Sequence, residues 1–227
     1  SMAGKPFEKS FELRYAETGI GGGLHIASMM RCFEEMALLQ SEAGNVGLDY
    51  YHKHHVAWVL RSFDIRIDRM PVYPGMFHLR TLPISVYRFM GYRRFWVYLP
   101  DGSIGVEADS AWVFIDTRTK RPLRVSDDMK QAYGHAGAPE QRLDMDDIPI
   151  LEREDIRQSF GVRRSDIDVN RHVNNVSYVN WTLETLPEDI HSGHSLKRLR
   201  IDFLQEMHYG ETADVCIQLD KIENQLR

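Results

Sequence analysis

An internal repeat sets the first constraint on the fold. Phe11-Glu12-Leu13-Arg14-Tyr15 and Phe160-Gly161-Val162-Arg163-Arg164 are two short alternating runs, each followed by a polar loop and a helical stretch. Met30, Phe33, Met36, Ala37 and Leu39 fall near helical spacing and predict a helix over 26–43, and Val176, Val179 and Leu183 predict another over 175–186. Four β-rich runs follow the first helix, over 55–67, 76–87, 91–99 and 104–115, with turn signals at Pro71 to Gly75 and at Pro100-Asp101-Gly102. A shift of 136 positions sets Leu199, Ile201, Phe203 and Tyr209 against Phe63, Ile65, Ile67 and Tyr73. Two copies of one unit are therefore expected. A strand, a long helix and an antiparallel run of strands is an α+β pattern, in which the helix buries its apolar stripe against a curling sheet. Several folds share it.

Residues 134–152 hold a stretch rich in Gly, Pro and Asp without sustained periodicity, as in a linker. The expected division is a first domain over 6–133, a linker over 134–152 and a second domain over 153–227. The second copy reads as incomplete. Tyr73 precedes Ile115, the end of the last strand run, by 42 positions, but its counterpart Tyr209 precedes Arg227 by only 18. An equal copy would extend about two strands further, and without them a sheet edge would lie open. The chain is thus expected to stop short of the biological C-terminus.

Composition narrows the class. Of the 227 residues 43% are hydrophobic and 27% charged, which suits a globular chain with ample core. No apolar run has the length of a membrane helix and no signal-peptide core opens the chain, so a cytoplasmic protein away from membranes is expected. Ser1-Met2 reads as a remnant of cloning. Cys32 and Cys216 stand far apart and imply neither a disulfide framework nor a zinc knuckle. A net charge of -5 argues against nucleic acid as a partner. Basic residues still cluster at Arg93-Arg94, Lys120-Arg121, Arg163-Arg164 and Lys197, Arg198 and Arg200, and some of them are expected to form a docking patch for an acidic protein partner. His52, His54 and His55 lack a matching Cys or carboxylate pattern, and neither metal nor cofactor is expected.

The richest chemistry lies in Asp166 to Trp181, where Asp168, Asn170 and His172 occupy alternating positions ahead of the second helix. Alternation would put the three side chains on one side of an extended loop. Asp, Asn and Ser are also turn and N-cap residues, so composition alone favours a purely structural role here.

The string D-x-N-x-H-V-N-N-x-x-Y-x-x-W, from Asp168 to Trp181, resembles the active-site motif of the acyl-ACP thioesterases, which release fatty acids from acyl carrier protein (ACP). Similarity extends to Trp58 through Pro71 and to Ser110 through Pro122, and so covers most of residues 7–227. In that family the Asp, Asn and His of the motif are joined by a Glu about thirty-four positions past the His, and Glu206 lies 34 positions beyond His172. The resemblance implies a tandem hotdog fold, with antiparallel sheets each wrapped around a long central helix. It further implies thioester hydrolysis by Asp168, Asn170, His172 and Glu206, and acyl-ACP as the protein partner; a homodimer is compatible with it. Asn174, Asn175, Tyr178 and Trp181 are expected to contact substrate.

Aligning His25 with His172 sets Gly21 and Gly23 opposite Asp168 and Asn170, and Met70 falls opposite Glu206. Catalysis is therefore expected in the second domain, and acyl-pocket formation in the first. His172 and Glu206 would share the base role, with the N–H groups near Val173 to Asn175 holding the oxyanion. Plant members commonly carry a Cys after the Glu, but Met207 stands here, which favours a water route over a thiolate. An acyl-CoA thioesterase of the same fold and a non-catalytic acyl-binding protein are the alternative readings.

Overall fold

The computed structural model describes residues 4–227; Ser1 and Met2 lie outside them. In chain order the strands are β1 (Phe7–Glu12), β2 (Val56–Ile67), β3 (Met76–Tyr87), β4 (Met90–Tyr98), β5 (Ile104–Asp116), β6 (Ile156–Gly161), β7 (Arg198–Asp202), β8 (Thr212–Ile217), β9 (Lys221–Ile222) and β10 (Gln225–Leu226). The helices are α1 (Ile26–Ala43), α2 (Leu48–His54), α3 (Asp127–Ala132), α4 (Asn175–Thr185) and α5 (Glu188–Gly193). The residues form two compact units, one ending at Asp146 and taking in Lys197–Asp202, the other comprising Asp147–Leu196 and Phe203–Arg227.

The first unit is an antiparallel sheet in the order β1-β3-β4-β5-β2-β7, with α1 packed on it. Apolar side chains three and four residues apart give α1 one buried stripe. Met29, Met30, Phe33 and Met36 are fully buried, and the Phe33 ring lies 4.6 Å from that of Phe95 on β4 and 5.9 Å from that of Phe63 on β2. A second cluster gathers Val46, Val56, Val86, Phe114, Val125, Met129 and Tyr133, with Tyr50 and Tyr51 of α2 packed against it.

Two stretches behave differently from their sequence reading. Residues 134–146 belong to the first unit: the Gln141 N–H donates to the Val86 carbonyl over 2.9 Å, and Leu143 and Met145 pack against Ile84, Tyr92 and Ala111. Strand β7 likewise belongs to this unit and pairs with β2 in a register centred on Asp64 opposite Arg200. Those two residues are each other's counterparts under the shift of 136.

In the second unit β6 pairs with β8, and α4 packs on both. Val162, Val173, Trp181 and Ala213 form its buried centre, with the Phe160 ring stacked 6.1 Å from Trp181. Helix α4 begins where Asn174 accepts the Ser177 N–H on its side-chain oxygen at 3.0 Å, and ends at Leu186 before Pro187.

Strand β1 corresponds to β6, and the start of α1 to the start of α4, under a shift of 149. That register corrects the alignment of His25 with His172. His25 is the N-cap residue of α1, as Asn174 is of α4, and both have extended backbones there. Gly22 and Arg171, also 149 apart, both adopt positive φ, +80° and +64°. Gly23 therefore occupies the place of His172, and the first unit keeps no imidazole at that point.

Candidate active site

The turn carrying Asp168, Asn170 and His172 is tight, not extended. It is closed at its base by a bridge between Ile167 and Val173. Inside, the Asp168 N–H donates to the His172 carbonyl at 2.9 Å, and the Arg171 N–H donates to the Asp168 carbonyl at 3.0 Å. The Asp168 carboxylate accepts the N–H groups of Asn170 and His172, at 2.9 and 3.2 Å. This local bonding curls the backbone, so simple alternation no longer decides where the three side chains point. Asp168 and Asn170 are exposed at the turn, whereas His172 is partly sheltered.

A second segment completes the site. The Val173 N–H donates to the Met207 carbonyl over 3.0 Å, which lays residues 206–208 beside the motif. Met207 packs its side chain against the core around Val173 and Trp181, while its neighbours Glu206 and His208 are exposed. Nε2 of His172 thus lies 3.2 Å from a carboxylate oxygen of Glu206. The His208 ring stands edge to face with that of His172, centroids 5.3 Å apart, and its Nδ1 is 3.4 Å from Glu211. Among the described residues, His172, Glu206 and His208 are brought together as a group able to hold a metal ion, and His52, His54 and His55 are not.

The motif is braced from beneath by Asp166, which is buried. Burial raises the Asp166 carboxyl, but the Arg163 backbone N–H at 2.8 Å, the Arg163 guanidinium and the Ser177 hydroxyl at 3.0 Å outweigh it and leave the group below the usual carboxylate range. Asn174 is committed to the same brace, donating from its amide to the Asp166 carbonyl at 2.9 Å and accepting from Ser177. The N–H groups of Val173 and Asn174 are likewise engaged, by Met207 and by Asp166, and are not available to an oxyanion as the sequence reading expected. Trp181 belongs to the core, and Tyr178 packs edge to face on it at 5.6 Å. The Tyr178 hydroxyl abuts the Met207 backbone without reaching hydrogen-bond geometry, and burial pushes this phenol up. Asn175 opens the first turn of α4, half-buried.

Known proteins agree with this architecture over most of the chain. The model of the acyl-ACP thioesterase N-terminal domain matches residues 4–133, and that of the C-terminal domain matches residues 151–227. This chain belongs to the acyl-ACP thioesterase family. A curated Arabidopsis thaliana relative, oleoyl-acyl carrier protein thioesterase 2, chloroplastic, is 30% identical over 93% of this chain and 62% of its own length. The oleoyl-acyl carrier protein thioesterase of Coriandrum sativum is 27% identical over 93% of this chain and 62% of its own. The chain therefore spans less than two thirds of these relatives. Among solved structures, a putative oleoyl thioesterase from Lactobacillus plantarum superposes with a TM-score of 0.85 at 26% identity, covering 93% of this chain and 83% of that one. The 12:0-ACP thioesterase from Umbellularia californica superposes at 0.79 and 23% identity, over 95% and 88%. The α+β fold is that of these thioesterases, the hotdog fold.

Sequence reading missed His208 in this family member. The signal was present in Glu206-Met207-His208, because in an extended segment the first and third residues share a side. Comparing the units at a shift of 149 for the turn and of 136 for the second segment also sharpens the contrast between them. Gly19, Gly21, Gly23, Met70 and Val72 stand where Asp168, Asn170, His172, Glu206 and His208 stand in the second unit, although the backbone bond is kept, from Leu24 N–H to the Pro71 carbonyl at 2.9 Å.

Proposed function

We propose that this chain hydrolyses the thioester of fatty acyl-ACP, releasing the free fatty acid and ending elongation. The supporting observation is the His172–Glu206 pair at 3.2 Å, set in a family whose curated relatives carry that activity in their names. A water beside the pair gives its proton to His172 or Glu206 as its oxygen bonds to the acyl carbon. The C–S bond then breaks and the proton passes to the departing phosphopantetheine thiolate. Asp168 acts through the turn it ties together, which fixes His172, and Asn170 at the turn's tip orients water or substrate. Asn175 and Tyr178 are the motif residues nearest in role to substrate contact, and Asn174 and Trp181 support them from the helix cap and the core. The second unit is the catalytic one in this proposal and the first supplies the acyl pocket.

Of the basic residues considered for ACP docking, Arg93 is buried on Gln40 and Thr81, while Arg94 and Arg198 pair with Asp109 and Asp64. Arg163 is engaged by Asp166, which leaves exposed Arg164, Arg171 and Lys197 as the docking groups for an acidic carrier. Cytoplasmic location belongs to the same proposal; the Arabidopsis thaliana relative is named chloroplastic. No helix among the described residues is long and apolar enough to cross a membrane.

The test is hydrolysis of acyl-ACP of graded chain length beside the matching acyl-CoAs, at low and moderate salt. Faster turnover of acyl-ACP, falling as salt screens the charges over about 10 Å at 0.1 M, is expected. Preference for acyl-CoA would redirect the reading to a CoA thioesterase, and tight acyl binding without turnover to a binding protein.

A further inference from the structure

His208 has no part in the hydrolytic scheme, yet it completes a ligand set. One ring nitrogen of His208, one of His172 and a carboxylate oxygen of Glu206 all lie within 4.8 Å of one another. Two imidazoles and a carboxylate are the donors of zinc sites that keep an open position, with bonds of about 2.0–2.1 Å, so tetrahedral ligand atoms sit about 3.3–3.4 Å apart. His172 Nε2 and the Glu206 oxygen, 3.2 Å apart, already match that edge. Glu206 and His208 are exposed, so a modest side-chain rotation brings the third vertex in. Glu211 lies 3.4 Å from Nδ1 of His208, where an outer carboxylate can orient a ligating histidine through the nitrogen that does not bind the ion.

We infer that His172, Glu206 and His208 form a site for a zinc-class divalent cation, and that its occupancy switches off hydrolysis. The ion takes the lone pairs with which His172 and Glu206 would accept a proton from water. Zinc suits this mixed nitrogen and oxygen set, whereas magnesium, which favours oxygen ligands and retains its waters, does not. The switching half of the inference rests on the proposed hydrolysis; the binding half does not.

Both halves are tested on the full chain stripped with a chelator. Zinc is titrated without substrate by calorimetry and by NMR of the imidazoles. One zinc per chain is expected, with shifts at His172 and His208 and none at His191, and no response to magnesium. His208→Ala and Glu206→Gln should each weaken zinc by about 10-fold or more, and Glu211→Gln by a similar factor through the outer carboxylate. No saturable 1:1 binding, or binding untouched by both ligand variants, overturns the site. Turnover of acyl-ACP should fall along the same zinc isotherm, and turnover that is unchanged or rises with occupancy overturns the switch. A stripped chain that binds zinc through these residues but hydrolyses nothing supports the site and removes the proposed function instead.

Discussion

Nε2 of His172 and a carboxylate oxygen of Glu206 are 3.2 Å apart, although 34 positions separate the residues in sequence. Their contact gives the first expectation. His172→Ala and Glu206→Ala should each lower kcat about 10²-fold or more with little change in KM, the range for loss of a general base. Near wild-type turnover in either variant would take the pair out of the chemistry.

Asp168 allows its two roles to be separated. Its carboxylate holds the N–H groups of Asn170 and His172, a task an asparagine carbonyl performs as well. Asp168→Asn should retain most turnover while Asp168→Ala loses about 10-fold or more, as expected when a positioning hydrogen bond is lost. Equal loss in both would make the charge itself catalytic, and pre-steady-state rates on acyl-ACP would show it.

Neither cysteine is poised as a nucleophile. Burial, with Glu17 and Glu35 adding to it, pushes the Cys32 thiol up to about 11, and burial and Glu154 also raise Cys216. Cys32→Ser and Cys216→Ser should keep their turnover at neutral pH. Loss of activity in either would revive a thiolate mechanism.

Acid should attack the brace under the motif. The folded-state pKa of Asp166 is depressed, so its contribution to stability is present above the unfolded value of about 3.9 and is lost as pH falls through the folded value. Asp166→Asn should cost about 1–3 kcal/mol at neutral pH by weakening buried hydrogen bonds, and should flatten the fall in stability below about pH 4. Denaturant midpoints measured from pH 3 to pH 7 check both; parallel curves for the two proteins would remove Asp166 as the acid-sensitive group.

Arg198 offers a contrast with the docking arginines. Its guanidinium donates twice to Asp64, at 3.0 and 2.7 Å, across the pairing of β2 with β7. Arg198→Glu should therefore destabilise the protein, by about 1–3 kcal/mol, because Asp64 then faces a like charge. Its effect on turnover should be the same for acyl-ACP and for a small acyl thioester. A rise in KM for acyl-ACP alone, with unchanged melting, would return Arg198 to the docking surface.

Long, strongly periodic elements were legible in the sequence. Helix α1 and strand β3 run over the residues that their apolar spacing indicates, and β2, β4 and β5 differ only at their ends. Helices α2 and α3, of seven and six residues, were not, because so few turns leave little periodicity and their helical state depends on packing in the cluster around Phe114 and Met129. The pairing of β7 with β2 was hidden for another reason: the repeat shows that two strands are alike but not that like strands pair. In the site, His172 and Glu206 could be named from the motif and its spacing. The turn geometry could not, since Asp168 spends its carboxylate on local N–H groups and Arg171 adopts a positive φ rarely taken by its residue type. The alignment on His25 failed because it matched side-chain identity, whereas the repeat preserves backbone role.

The bond from the Val173 N–H to the Met207 carbonyl joins the immediate neighbours of His172 and Glu206. It uses atoms that every amino acid except proline supplies at Val173 and that every one supplies at Met207. The spacing of the two reactive side chains is thereby written in main chain, and relatives can diverge across most of their sequence without moving it. The same bond persists in the first unit between Leu24 and Pro71, where the side chains are apolar or absent. A duplicated scaffold of this kind can lose its chemistry in one copy, or gain it, by substitutions alone, with the backbone geometry left in place.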